Sequence, residues 1–126
     1  MFFSIDTFEH LADPLATLSR VVSFAKIGSV VFLSVPNFNS YFSFQQLGMH
    51  PYFEYPAHLN YFTAVSLRHL VEKSGLWVLA LQASTLSWEV EYISKCFPDR
   101  PFGYKLWDVM MDSYYGERLF VLAIKR

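Results

Sequence analysis

The 126-residue chain has one cysteine, Cys96, which excludes an internal disulfide framework and any cysteine-clustered zinc site. A lone thiol of this kind is expected as an inert, buried side chain and fits a reducing compartment. Glycine is also scarce: Gly28, Gly48, Gly75, Gly103 and Gly116 are the full set. No two lie close enough to build a glycine-rich turn around a phosphate. Ten Lys and Arg against eleven Asp and Glu leave a formal charge of −1, so the chain lacks the basic field that holds nucleic acid. No apolar run approaches the roughly 18 residues of a membrane helix. The longest, Leu76 to Leu81 and Leu119 to Ile124, have the length of strands. The opening residues lack a positive n-region and carry Asp6 and Glu9, so they do not read as a secretory signal, and a cytoplasmic location is expected.

What the chain does have is apolar surface. Hydrophobic residues make up 53% and aromatics 19%, more than a single small domain hides easily. A second copy or a partner chain covering an open sheet edge is therefore expected. With no repeat and no linker, residues 1–126 read as one domain.

The pattern alternates strands and helices. Phe2 to Ile5 is a short apolar run. Asp13-Pro14 then combines a capping carboxylate with a first-turn proline, and Leu15, Leu18, Val22 and Ala25 recur at helical spacing. Gly28 is expected to end this helix in the left-handed conformation, with Lys26 at its negative end. Val30 to Val35 reads as a buried strand stopped by Pro36. A long loop follows, with nine aromatics from Phe38 to Phe62, suited either to a planar or lipid-like ligand or to packing under a lid. Thr63 caps a second helix with Leu67, Leu70 and Val71 inward, and Gly75 closes it. Trp77 to Leu81 is a strand. Ser87 to Tyr115 reads as one or two amphipathic helices broken at Pro98 and Pro101, and Leu119 to Ile124 is a final strand apolar on both faces. The order β-α-β-loop-α-β-(α)-β is that of a layered α/β sheet.

Three segments carry a resemblance: Asp6-Thr7-Phe8-Glu9-His10-Leu11-Ala12-Asp13-Pro14, the strand end Ser34-Val35-Pro36-Asn37, and Pro56-Ala57-His58-Leu59-Asn60-Tyr61-Phe62-Thr63 before Leu67 to Leu76. In this order and at this spacing the chain resembles the second half of a class I S-adenosylmethionine-dependent methyltransferase domain, from inside the fourth strand to the last. The resemblance implies a partial Rossmann-like, doubly wound sheet of about four strands, mostly parallel with the last antiparallel, and helices on its faces. It implies S-adenosylmethionine as cofactor and a small-molecule O or C acceptor. The family holds the cofactor with a glycine-rich turn after its first strand and an acidic residue ending its second. Neither is present, so the 126 residues are expected to bind the cofactor weakly or not at all alone. The alternative is a non-catalytic half-domain that acts as an interaction scaffold.

The resemblance also nominates residues. Glu9 and His10 follow a strand's carboxyl end, and His58 returns over the same crevice, so these three are the catalytic candidates, either histidine serving as general base. Asp6 and Thr7 fall on the cofactor side. Asp6, Glu9, His10 and His58 resemble the carboxylate and histidine set with which small-RNA 2′-O-methyltransferases, and ubiquinone-pathway O-methyltransferases, hold a divalent ion. Such an ion would lower the pKa of an acceptor hydroxyl. Asp6 stands where that pattern has Glu. The alternative is structural, with Glu9 and His10 capping the following turn and His58 fixing the loop. His50 and His69 are isolated, and nothing ties Trp107, Tyr114 or Tyr115 to chemistry.

Overall fold

The computed structural model describes residues 1–40, 56–84 and 116–126. The elements are β1 (Phe2–Ile5), a single 3-10 turn (Phe8–His10), α1 (Pro14–Phe24), β2 (Val30–Pro36), α2 (Ala64–Lys73), β3 (Leu76–Ser84) and β4 (Arg118–Lys125). They form one four-stranded sheet in the order β1-β2-β4-β3. β1 runs parallel to β2, and β4 enters between β2 and β3 antiparallel to both. This is the mixed α/β sheet expected, with the last strand reversed. The helices read between Ser87 and Tyr115, most of the aromatic loop, Cys96 and His50 lie outside the described residues.

Local chemistry sets both helix starts. Asp13 Oδ1 accepts from the amide of Ala16 at 2.8 Å, with Pro14 opening α1. At α2, Thr63 Oγ1 accepts from the Ser66 amide at 3.1 Å while Ser66 Oγ accepts from the Thr63 amide at 2.9 Å, a reciprocal capping box. Gly75, at φ +93°, ends α2 as expected.

The end of α1 differs from the sequence expectation. The helix stops at Phe24, Ala25 is extended, and Gly28 at φ +83° serves the turn into β2, donating its amide to the Lys125 carbonyl at 2.8 Å. The terminal carbonyls are satisfied instead by Lys125 Nζ, 2.9 Å from both the Val22 and Ala25 oxygens. A cation from the last strand thus replaces the local glycine cap, and it also sits favourably at the negative end of the helix.

The core lies on the face that carries Val31, Leu33 and Val35 of β2 and Leu119, Val121 and Ala123 of β4. Leu18 and Val22 of α1 pack there with Leu67, Leu70 and Val71 of α2. The alternate residues turn to the opposite face, where Phe32 and Phe120 set their rings 6.1 Å apart. On that side β1 exposes Phe3 at 67% and Ile5 at 55%, and β1 is the terminal strand of the sheet. Among the described residues no helix is long and apolar enough to cross a membrane.

Gly116 lets the β4 approach pass against the end of β3: a Cβ there would lie 2.5 Å from the Ser84 nitrogen and 2.6 Å from its carbonyl carbon. Backbone cannot yield as a flexible side chain can. Gly116→Ala is expected to destabilise the fold by about 1–3 kcal/mol, as overpacking does. A urea midpoint within error of the parent protein's would refute this.

Candidate functional site

The site forms where β1 leaves the sheet. Beyond Ile5 the chain passes through Asp6 and Thr7 into the 3-10 turn, and Phe8, buried to 2% exposure, anchors that turn in the core. With Phe8 fixed, the next two side chains diverge. Glu9 is buried and His10 is exposed.

A second segment is stapled onto this turn. The amides of Leu59 and Asn60 both donate to the Glu9 carbonyl, at 2.8 and 3.0 Å, and Asn60 Nδ2 donates to the Leu11 carbonyl at 2.6 Å. These bonds bring His58, itself buried, beside His10. The two imidazoles meet edge to face, 4.7 Å between centroids and 68° between planes. The preceding residue closes the arrangement, with His10 Nδ1 2.7 Å from the Ala57 carbonyl oxygen. A carbonyl only accepts, so Nδ1 carries the proton and the lone pair of a neutral His10 is on Nε2. That nitrogen lies 3.9 Å from Glu9 Oε1.

One ligand-capable atom each from Glu9, His10 and His58 falls within 4.8 Å of the others. The structure thus brings together three of the residues nominated from sequence. Asp6 is engaged differently: its carboxylate pairs with the guanidinium of Arg118, at the start of β4. Thr7 Oγ1 donates to the Ile5 carbonyl at 3.0 Å. Of the aromatics after β2, Phe62 is core, whereas Phe38 and Tyr61 stay partly exposed with ring centroids 5.7 Å apart.

Three participants escaped sequence reading. The Ala57 carbonyl and the Asn60 main-chain amide leave no residue-type signature, and the Asn60 side chain meets Leu11 across 49 positions, beyond any local pattern. Arg118 did leave a trace, as a charge opening a strand that stays apolar as far as Lys125.

Glu9 carries the clearest electrostatic perturbation. Burial, the largest cause, holds its carboxyl above the ordinary value of 4.5; a backbone hydrogen bond opposes this, the Asp6 charge adds to it, and His10 and His58 oppose it. Glu9 Oε2 is buried with no hydrogen-bond partner among the described residues. Because the folded value exceeds the unfolded one, the neutral form's contribution to stability is complete below about pH 4.5 and is lost as pH rises through the folded value. Glu9→Gln removes this loss. Denaturant midpoints followed against pH should show the variant more stable than the parent at neutral pH, with the two curves converging in acid. Parallel curves would contradict the assignment.

A family model described as a methyltransferase domain matches residues 3–81. No curated protein matches. Among solved structures, a Haloferax volcanii methyltransferase in complex with the methyltransferase activator Trm112 is similar at TM-score 0.63 and 19% identity, over 97% of this chain and 52% of its own. A Thermotoga maritima S-adenosylmethionine-dependent methyltransferase is similar at TM-score 0.62 and 14% identity, over 99% of this chain and 55% of its own. The chain therefore spans about half the length of these structures. The family match covers most of the sequence, and the sheet with its reversed last strand has the same fold as those enzymes: the chain belongs to the class I methyltransferase family.

Proposed function

We propose that this chain is the acceptor-side half of an S-adenosylmethionine-dependent methyltransferase domain, acting on a small-molecule O or C acceptor, with the cofactor cradle supplied by residues outside these 126. The observation that carries the reading is the Glu9–His10–His58 cluster at the carboxyl end of β1, in a chain of this family. The described residues alone form no cradle for the cofactor. Gly28 and Gly75 serve turns at the amino ends of β2 and β3, and the space beside Gly116 is filled by Ser84 backbone, so none of the described glycines lines a cradle. The similarity to enzymes nearly twice as long agrees with a site shared with further sequence, on the same or a separate polypeptide.

S-adenosylmethionine, when bound, supplies an electrophilic methyl group. The present residues handle the acceptor. His10, with Nδ1 fixed on the Ala57 carbonyl, offers Nε2 to take the acceptor's proton. Glu9 stabilises the imidazolium that results, from 3.9 Å. His58 packs against the His10 ring and fixes its plane.

Calorimetric titration with S-adenosylhomocysteine tests the division of labour. The 126-residue chain should give no saturable micromolar binding. A fusion that adds to it the part of the T. maritima relative that it does not cover should bind. Binding by the chain alone, or none by the fusion, would overturn the reading. In the fusion, His10→Ala should slow transfer to a panel of phenolic and carbon acceptors by about 100-fold and leave cofactor affinity unchanged.

A second reading rests on one further feature. Glu9 Oε2 has no hydrogen-bond partner among the described residues, and His10 has its Nδ1 proton held by a carbonyl, which is how a second shell orients a metal-bound imidazole. Glu9, His10 and His58 would hold a divalent cation, and their mixed oxygen and nitrogen donors suit manganese, iron or zinc better than magnesium. The ion would lower the pKa of an acceptor hydroxyl. Manganese or zinc at millimolar concentration should raise the melting temperature of the parent chain and leave His58→Ala unmoved. Equal behaviour of the two proteins would exclude the ion.

A further inference from the structure

Asp6 is the only non-glycine residue at positive φ among the described residues, at 49°. Aspartate enters that region more readily than most side chains, and its surroundings then select the conformation. Here the surroundings are identifiable. The Asp6 amide donates to the Ser34 carbonyl at 3.1 Å, continuing the β1–β2 ladder, and Thr7 Oγ1 turns back to the Ile5 carbonyl at 3.0 Å. The carboxylate meets the Arg118 guanidinium.

The two members of this pair differ in freedom. Asp6 has a side chain 40% exposed on a turn, whereas that of Arg118 is 4% exposed. Arg118 is also locked by pairing on both sides, opposite Pro36 of β2 and Ser84 of β3. The arginine is thus the fixed member. From Asp6 the chain has only Thr7 and Phe8 before Glu9, so the direction in which it leaves Asp6 sets where Glu9 and His10 point.

We propose that Arg118 is a positioning residue: by clamping the Asp6 carboxylate it holds the left-handed exit from β1 that brings Glu9 and His10 against His58. Arg118 acts through Asp6, not by touching the acceptor. It also supplies the counter-charge that lets an aspartate sit one short turn from the buried Glu9 carboxyl. This inference builds on the cluster named as the acceptor site above, but its test needs neither cofactor nor acceptor.

The test is NMR on the full chain with labelled histidine. The parent should show a nuclear Overhauser contact between the His10 and His58 rings and a slowly exchanging Nδ1 proton on His10. Arg118→Gln should lose both signals while the β2–β4 amides keep their protection. Asp6→Gly should lose them as well, although glycine accepts the backbone conformation freely, which separates the lost ion pair from any backbone cost. The double variant should be no worse than either single, and Arg118→Lys, retaining the charge, should recover part of the ring contact. A pair that serves stability alone would lower the melting temperature and leave both signals in place, and that result overturns the proposal. If Arg118→Gln fails to fold, Asp6→Gly decides alone: persistence of the ring contact there refutes positioning. Failure of the methyl-transfer reading would appear as absent cofactor binding in the fusion and would leave this outcome untouched.

Discussion

The carbonyl oxygen of Glu9 accepts two amide protons from a segment some fifty residues away in sequence, those of Leu59 and Asn60. The meeting of the two halves of the candidate site depends on that pair of hydrogen bonds. It closes a long loop, so the entropy of bringing its ends together must be recovered locally. The Asn60 side chain adds a third bond, to Leu11, and the Ala57 carbonyl a fourth, to His10. Once these are in place, a buried carboxyl and two imidazoles are fixed with little freedom to rearrange. Pre-set geometry of this kind is what the proposed acceptor role would demand, because methyl transfer gains chiefly from alignment.

The sheet holds that staple through its last strand. β4 lies between β2 and β3, and its two ends reach back to the first part of the chain. Arg118, at its start, grips Asp6 at the exit of β1. Lys125, at its end, closes α1. Between them Leu119, Val121 and Ala123 face the helices and are fully buried. A strand that is apolar in the middle and cationic at both ends is thereby fixed in register twice, once by burial and once by charge. Such a strand couples the order of the site to the integrity of the core.

The carboxyl of Glu9 is the element under tension. Its burial disfavours the charged form, one oxygen has no partner among the described residues, and two histidines stand close by. Buried polar groups in that condition are uncommon outside functional sites. The fold accepts the cost because Phe8 and the staple leave the side chain no exit to solvent.

Much of this was legible in the sequence. Asp13-Pro14 and Thr63 marked the helix starts because capping is a matter of neighbours three residues apart, and Gly75 marked an end for the same reason. The strands β2 and β4 showed as short apolar runs, since both carry apolar side chains on both faces, although among the described residues only the helix-covered face is fully buried. Glu9, His10 and His58 could be nominated as one set, but only by resemblance, because no local rule relates residue 10 to residue 58. Gly28 misled, since a glycine past a helix signals a cap only where no distant group takes the carbonyls, and here Lys125 does. Asp6, nominated for cofactor and metal, pairs with Arg118, a partner 112 positions away that no local pattern announces. Among the described residues, where helices and strands begin could be read locally, since those preferences are set within a few residues. The tertiary structure alone decided which charges meet, because ion pairs and imidazole contacts depend on strand order, and strand order is fixed by packing the whole sheet.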